Sequence, residues 1–394
     1  MVKSKPVYAF EEADSKNRML LGGKGAGLSE MTRLKLPVPS GFTITTEVCN
    51  RYYENGRKLP KNLIAEVRKN IIKIEGKTGK KWNSSTNPLL VSVRSGAAIS
   101  MPGMMDTILN LGLNDQTVVG LSKKTNNPRF AWDSYRRFIQ LFGKVVFGVN
   151  DEKFDHVLNI AKKKQGVKDD SKLDVNSLKQ IVNQYKKICN DHTKRKFPTN
   201  PNEQIELAIE AVFRSWMGER AIVYREKNNI TKNIANGTAV NIVTMVFGNM
   251  SNDSATGVVF TRNGSNGKKE IEGEYLLNAQ GEDVVAGVRT GNDVSKLKND
   301  MPKSYNELSN ACSKLEKHFR EPQDIEFTIE QGKFYLLQTR TAKMSAGALV
   351  RTSVEMVREK LIDKNRALTR IPAQQLEALP VSYTHLTLPT TPYV

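Results

Sequence analysis

Cysteine is scarce in this chain. The 394 residues include three cysteines, Cys49, Cys189 and Cys312, and they lie far apart in the sequence. Three separated thiols cannot form a disulfide framework or a four-cysteine metal site, which indicates a reducing compartment. The sequence therefore predicts a cytoplasmic protein.

Long apolar stretches are also absent. No run approaches the roughly 18 residues that a membrane-spanning helix needs. The start, MVKSKPVYAFEEAD, has no apolar signal core and carries three acids, which predicts neither a secretory signal nor a transit peptide. With 39% hydrophobic and 26% charged residues, the composition excludes a disordered or collagen-like chain, and we expect no membrane partner.

Positive charge is what the chain has in excess. The 60 lysines and arginines against 41 aspartates and glutamates give a net charge of +19. This balance predicts an anionic partner such as a nucleotide, a phosphometabolite or a nucleic acid, or else a lysine-rich solvated surface. Because no aromatic-interleaved basic motif, helix-turn-helix or zinc module accompanies the charge, we expect no nucleic-acid partner.

Hydrophobic periodicity predicts a mixture of helices and strands. In the first part of the chain the predicted strands are 7–10, 89–96 and the end of 36–45, which begins with a proline-rich turn. The predicted helices are 61–81 and one that follows the glycines within 20–34. Residues 97–113 predict a loop, and 129–215 look helical. Within that region the polar, lysine-rich stretch 151–200 predicts a solvated insertion rather than a core. Strands return after residue 238, and 345–363 predict a further helix.

Two short motifs are candidates for phosphate binding. The segment GGKGAG at 22–27 precedes an amphipathic helix, so its backbone N–H groups and Lys24 could approach an anion. It is not a Walker A loop, and a tight turn with a solvated lysine explains it equally well. Arg94, in SVRSG at 92–96, is predicted at a strand end beside a glycine, which suits bidentate phosphate binding. The alternative is an edge-strand arginine in a salt bridge.

Residues 323–340 predict a β-hairpin with a three-residue loop. In that register Asp324 lies opposite Arg340 and Glu326 opposite Gln338, so one face carries two carboxylates, an amide and a guanidinium. Carboxylate and amide oxygens suit Mg²⁺, and the arginine suits a phosphate bridged to that metal. The alternative is an ion-paired solvent face. The other face is predicted to be apolar, with the pairs Phe327–Leu337 and Ile329–Tyr335.

The segment QGEDVVAG at 280–287 is a weaker candidate. It predicts an acidic turn leading into a strand, whose backbone could bind an adenine edge. Glu282 could accept a hydrogen bond from a ribose or from the adenine amine. An acidic turn before a buried strand is the alternative interpretation.

Several of these segments together resemble a known family. LLGGKGAGLSEM, LPVPSGFTITTEVC, LLVSVRSGAAISMPGMMDTILNLGL, LLNAQGEDVVAGVRT and QDIEFTIEQGKFYLLQTR are similar to the nucleotide-binding domain of the pyruvate, phosphate dikinase family. The resemblance covers about residues 5–380 in the same order, and the VRSG segment with the residues after it is its most specific part. The phosphoenolpyruvate synthases, which share the GGKG and VRS elements, are the alternative family.

The resemblance implies an α+β fold: an ATP-grasp-like nucleotide-binding domain of two α/β subdomains with a helical insertion. It also implies ATP as ligand, with Mg²⁺ bridging the phosphates. The implied residues are Lys24, Arg94, Glu282, Asp324, Gln338 and Arg340 for the nucleotide, Lys24, Arg94 and Arg340 for catalysis, and Glu326 and Gln338 for the metal. Val243 departs from the family, which often has glutamine at that position.

The resemblance also implies a domain order. The expected parts are an N-terminal subdomain at 1–115, a helical insertion at 116–215, a C-terminal subdomain with the hairpin at 216–343, and a helical linker at 344–380. Residues 381–394 contain no charged side chain and predict a segment that does not belong to the fold. A native flexible tail is the alternative for this segment.

The implied activity converts ATP, phosphate and pyruvate to AMP, pyrophosphate and phosphoenolpyruvate. The family passes the phosphoryl group through a histidine in a Thr-Ser-His-Ala-type motif, and none of the four histidines lies in one: His156, His192, His318 and His385. We therefore expect a truncated chain that binds Mg·ATP and phosphate and needs the phosphohistidine and pyruvate domains to turn over. A non-catalytic nucleotide-binding fragment is the alternative, and a homodimer is compatible with the sequence.

Overall fold

The computed structural model describes residues 5–285 and 290–377, without the side chains of Glu282 and Val285. The predicted tail and His385 lie outside the described residues. Every helix among the described residues is too short or too polar to span a bilayer.

Two compact units make up the chain. Among the described residues, the first comprises 5–257, 275–285, 290–291 and 326–339, and the second comprises 258–274, 292–325 and 340–377. The elements up to residue 244 are β1 (Val7–Ala9), α1 (Arg18–Arg33), β2 (Gly41–Ile44), α2 (Thr46–Glu54), α3 (Leu63–Thr78), β3 (Val91–Ala97), β4 (Thr107–Leu111), α4 (Thr117–Thr125), α5 (Pro128–Phe147), α6 (Asp151–Gln165), α7 (Val175–Thr193), α8 (Pro201–Trp216), α9 (Glu219–Lys227) and β5 (Thr238–Thr244). The elements after it are β6 (Ala255–Phe260), β7 (Glu272–Leu277), α10 (Gly281–Val285), β8 (Asn292–Asp293), α11 (Leu297–Asp300), α12 (Pro302–Phe319), β9 (Gln323–Glu330), β10 (Lys333–Thr341), α13 (Ala346–Arg358), α14 (Lys364–Thr369) and α15 (Ala373–Glu377).

The first sheet is antiparallel and has the strand order β1-β2-β5-β3-β4. Side chains alternate between its two faces. One face is apolar and fully buried, and it carries Phe42, Ile44, Val91, Val93, Val240 and Ile242. The other face is polar, because Arg94 and Thr43 both lie opposite Asn241 in the register of these strands. Helix α1 packs against β3 and β5.

The helical region between β4 and β5 does contribute to the core. Phe154, Leu178, Ile181, Tyr185 and Cys189 are all buried, and α7 packs along α5. The prediction that 151–200 is a solvated insertion without a core is therefore wrong. Each of its helices exposes a charged face, which dominates the composition, and buries a narrow apolar stripe.

The second sheet has the order β10-β9-β6-β7-β8, and several of its strands contribute residues to both units. In the second unit, α12 buries Leu308, Ala311, Cys312 and Leu315. The fully buried Arg262, which follows β6, contacts Glu316 on α12.

The mixed α/β organisation is confirmed, with one local difference in this part of the chain. Residues 97–113, which are predicted to form a loop, include strand β4. The sequence does not reveal this strand, because the glycines, methionines and asparagines around it leave no clear alternating pattern. The domain boundaries stay a prediction. Strand β5, which follows the predicted boundary at residue 215, lies between β2 and β3 in the first sheet.

Candidate functional site

The glycine-rich segment is part of α1 rather than a loop before it. The helix is kinked at Gly22, whose φ of 68° and ψ of 163° are not helical, so a new helical segment starts at the next residue. A Cβ atom on Gly22 would lie 2.0 Å from the carbonyl oxygen of Gly96, and one on Gly25 would lie 2.7 Å from side-chain oxygens of Asn241 and Thr43. The glycines therefore allow α1 to lie directly on the polar face of the first sheet.

This packing places Lys24 beside the end of β3. The Cβ atom of Lys24 lies 3.3 Å from the position that a Cβ on Gly96 would occupy. A Cβ on Gly27, one turn further along α1, would lie 3.5 Å from the carbonyl oxygen of Thr339 on β10. Helix α1 thus lies close to both β3 and the end of β10 within the first unit.

Arg94 lies inside a strand rather than at its end. It is a residue of β3, paired with Asn241 on one side and Thr107 on the other. Its Nη2 lies 3.5 Å from Oε2 of Glu326, and the two side chains are 18% and 24% exposed. The buried Nε of Arg94 has no hydrogen-bond partner within the described residues. One long ion pair leaves most of the five guanidinium N–H groups available for an anion.

The hairpin differs from its predicted register near the turn. The turn has two residues, Gln331 and Gly332, with φ of 50° and 71°, and Lys333 already belongs to β10. Positive φ at both residues is the geometry of a type I′ turn. The rings of Phe327 and Phe334 lie 5.7 Å apart, so they share a face and the predicted pairs Phe327–Leu337 and Ile329–Tyr335 are wrong.

At the other end of the hairpin the predicted polar pair does meet. Nε of Arg340 lies 2.5 Å from Oδ2 of Asp324. The buried positions along β10 are Phe334, Leu336 and then Thr339, so the alternation changes phase between the last two. A one-residue change of phase accounts for an arginine that ends on the side of Asp324. Oδ1 of Asp324 is buried without a hydrogen-bond partner in the described part of the chain.

The structure thus brings some of the predicted residues together. Arg94 contacts Glu326 directly, Lys24 lies beside Gly96 two residues beyond Arg94, and Gln338 precedes the Thr339 that lies near α1. These residues all belong to the first unit, whereas Asp324 and Arg340 pair with each other in the second. The side chain of Glu282 lies outside the described residues. The roles of all these residues stay predictions.

The segment of Glu282 forms a short helix, α10, and not the predicted strand. Arg137, on α5, fixes this helix because its Nη1 lies 3.0 Å from Oδ1 of Asp283. Arg137 also pairs with the buried Asp133. Burial opposes the charged form of Arg137, but these two carboxylates raise its pKa above the usual value. Sequence reasoning missed Arg137 because its partner is distant in the chain and no local motif links them.

Two hairpin residues carry the kind of oxygen donors that a magnesium ion takes. Glu326 supplies a carboxylate and Gln338 an amide oxygen, both in the first unit. No cluster of three or more histidine, cysteine, aspartate or glutamate side chains suited to a metal occurs among the described residues. Mg²⁺ usually takes one or two protein carboxylates and completes its shell with phosphates and water, so a small donor set suits Mg·ATP better than a metal held by protein alone.

Comparison with known proteins decides the family. A family model described as the AMP/ATP-binding domain of pyruvate phosphate dikinase matches residues 18–59, 56–304 and 291–361. The chain belongs to this family. The pyruvate, phosphate dikinase of Entamoeba histolytica is 56% identical over 375 residues, which cover 95% of this chain and 42% of that protein.

Other relatives agree. The dikinase of Clostridium symbiosum is 50% identical over 377 residues, covering 95% of this chain and 43% of the relative. The chloroplastic dikinase of Flaveria pringlei is 48% identical over 379 residues, covering 95% of this chain and 39% of that relative. The chain therefore spans about two fifths of the length of these relatives. The family resemblance and the ATP-grasp-like fold are confirmed, and the matches favour the dikinases over the phosphoenolpyruvate synthases.

Proposed function

We propose that this chain binds Mg·ATP and forms the nucleotide-binding part of a pyruvate, phosphate dikinase. The contact between Arg94 and Glu326 is the observation that supports this most directly. It joins β3, an interior strand of the first sheet, to the hairpin, and Lys24 on α1 lies near the same strand. A metal-bound polyphosphate requires cations for its phosphate oxygens and a carboxylate for its metal. Three separate elements supply these groups here: Lys24, Arg94 and Glu326.

Each group has a distinct role in this proposal. Lys24 and Arg94 bind phosphate oxygens and neutralise their charge, and both are held by elements packed in the first unit rather than by exposed loops. Glu326 and Gln338 hold Mg²⁺, which when bound orients and neutralises the phosphates. Asp324, Arg340 and Glu282 keep the nucleotide contacts that the family resemblance implies, with Arg340 as a third cation for the transferred group.

The complete reaction is proposed for a longer assembly. It would convert ATP, phosphate and pyruvate to AMP, pyrophosphate and phosphoenolpyruvate, with a histidine as the intermediate phosphoryl acceptor. The three described histidines, His156, His192 and His318, lie on α6, α7 and α12. Because phosphoryl transfer needs an aligned acceptor, we propose that the chain binds its nucleotide but needs the phosphohistidine and pyruvate domains to complete the reaction.

A coupled assay for phosphoenolpyruvate tests this division. The purified chain should bind Mg·ATP yet form no phosphoenolpyruvate from ATP, phosphate and pyruvate. Phosphoenolpyruvate formation by the chain alone would contradict the proposal. Adding the phosphohistidine domain of a dikinase with radiolabelled ATP should label that domain, whereas a nucleotide-binding fragment without chemistry would leave it unlabelled.

Two further parts of the proposal concern the setting of the protein. We place it in the cytoplasm, although the relative from Flaveria pringlei carries the description chloroplastic. Fractionation with an antibody against the chain would decide between the two compartments. A homodimer is compatible with the proposal, and light scattering of the purified chain would give its mass.

A further inference from the structure

Gln280, the residue before α10, has a side chain without a partner. It is 5% exposed, and both its Oε1 and its Nε2 are buried and make no hydrogen bond within the described part of the chain. Gln204 provides a contrast in the same unit. It is fully buried, accepts from the backbone of Gly112 at 3.0 Å, and donates to two carbonyl oxygens at 2.9 and 3.0 Å. A buried amide with neither atom paired is unfavourable for stability, so Gln280 calls for another explanation.

The surroundings of Gln280 connect it with the proposed nucleotide site. A Cβ atom on the neighbouring Gly281 would lie 3.8 Å from Oγ1 of Thr256. That hydroxyl lies 3.3 Å from Oγ1 of Thr328 on β9. Thr328 and Glu326 are two residues apart on one strand and share its face, and Glu326 contacts Arg94. The residue that follows Gln280 therefore lies beside two neutral hydroxyls, and the one on β9 is about 7 Å along that strand from the charged pair.

The chemistry of an unpaired amide selects a neutral partner. Oε1 can only accept and Nε2 can only donate, so a partner must offer a donor and an acceptor side by side. A phosphate oxygen accepts only and would leave Oε1 unpaired. The adenine base offers an amino group next to a ring nitrogen, and glutamine amides pair with this edge through two hydrogen bonds.

We propose that Gln280 binds the base edge of the nucleotide and thereby contributes to the choice of adenine. This inference rests on the proposed function and adds to it a residue that reads the base rather than the phosphates. It does not depend on Glu282, whose side chain is not described.

Gln280→Met tests the proposal because it removes both hydrogen-bonding atoms and nearly preserves length and volume. The affinity for ATP should fall about tenfold, the worth of two neutral hydrogen bonds, and that for tripolyphosphate should not change. Without nucleotide the melting temperature should stay constant or rise by a few degrees, since no hydrogen bond is lost. Gln204→Met is the matched control: it should lower the melting temperature and leave ATP affinity unchanged.

A ligand change provides the second arm. Purine riboside triphosphate lacks the 6-amino group of ATP, so the wild-type chain should bind it about fivefold more weakly. Gln280→Met should bind the two nucleotides equally. The opposite result is that wild type and Gln280→Met differ in affinity for ATP and for purine riboside triphosphate but bind 2′-deoxy-ATP equally. The amide would then contact the ribose, and the proposal would be overturned.

Three other results would also overturn it. The first is an unchanged ATP affinity in Gln280→Met, and the second is a loss of tripolyphosphate affinity equal to the loss of ATP affinity. The third is a destabilisation as large as that of Gln204→Met, which would show that the amide is already paired, for example with internal water. If the wild-type chain bound no ATP, the proposed function would fail and this inference with it. Normal ATP binding with no effect of Gln280→Met would overturn this inference alone.

Discussion

Replacing Arg262 by methionine should strongly destabilise the second unit. The side chain of Arg262 is fully buried, and its Nη2 lies 2.8 Å from Oε1 of Glu316 and 2.8 Å from Oε2 of Glu359. Its Nη1 lies 3.5 Å from Oε2 of Glu355. The guanidinium therefore connects the strand end after β6 with α12 and with the end of α13.

The magnitude follows from what the substitution leaves behind. Glu316 is 7% exposed, and in Arg262→Met its one remaining described hydrogen bond comes from the hydroxyl of Thr261 at 2.8 Å. An uncompensated buried charge of this kind costs about 3–5 kcal/mol. Glu355 and Glu359 are 24% exposed and keep Arg351 and Lys269 as partners, so they should add little.

Urea unfolding and calorimetry of the purified chain measure this loss. We expect the melting temperature of the affected transition to fall by about 10 °C or more. Adding Glu316→Leu to Arg262→Met removes the stranded charge and should restore most of the stability. Lys69→Met, which breaks an exposed pair with Glu66, is the control and should cost under about 0.5 kcal/mol. A single variant within 1 kcal/mol of wild type, or a double variant as unstable as the single one, would refute this reasoning.

Three further predictions concern stability and reactivity. Burial favours the neutral form of Asp133, but Arg136 and Arg137 outweigh it and lower its pKa to about 2. Because the native pKa lies below the unfolded value near 3.9, about 2–3 kcal/mol of stability is present above pH 4 and lost as the pH falls through 2. In Asp133→Asn the free energy of unfolding, measured with urea, should depend less on pH between pH 2 and 4 than in the wild type. An unchanged pH dependence would contradict the assignment. Gly25→Ala should destabilise the chain by about 1–3 kcal/mol, because its methyl group would meet two polar side chains of the first sheet. Gly27→Ala, which meets only ordinary contacts, should be neutral or slightly stabilising in the same measurement. Burial raises the pKa of the thiols of Cys49, Cys189 and Cys312 to about 12. Ellman's reagent should therefore label none of the three in the native protein at pH 8 and all three after denaturation.

The sequence pattern predicted the elements whose residues repeat clearly, and it failed where distant packing decides the structure. The strands of β2 and β3 and the helix α13 follow from alternation and helical periodicity. The kink at Gly22 does not, because its cause is the carbonyl of Gly96, which approaches only in the folded chain. Similarly, the charged surface of 151–200 hid the apolar stripe that packs on α5.

The candidate site shows the same division. Lys24, Arg94 and the hairpin could be selected from local motifs, and the structure brings Arg94 into contact with Glu326 of the hairpin. The register of the hairpin could not be predicted from a local motif. A Gln-Gly pair is a weaker type I′ signal than Asn-Gly, so the sequence predicts a loop of three residues where the structure has two. Arg137 could not be found because a long-range ion pair leaves no mark on the local sequence. The segment 280–287 could be selected, but the unpaired amide of Gln280 is visible only in the folded chain.

Isothermal titration of ATP with and without Mg²⁺ tests the central claim most directly. Arg94→Ala should weaken Mg·ATP binding by about 1.5–3 kcal/mol, the typical worth of a charge-assisted hydrogen bond. Glu326→Ala should instead reduce the dependence of binding on Mg²⁺, because it removes an oxygen ligand and no cation. Arg51→Ala, at an exposed pair with Glu47 on α2, is the control and should bind like wild type. Wild-type affinity and Mg²⁺ dependence in both site variants would contradict the account.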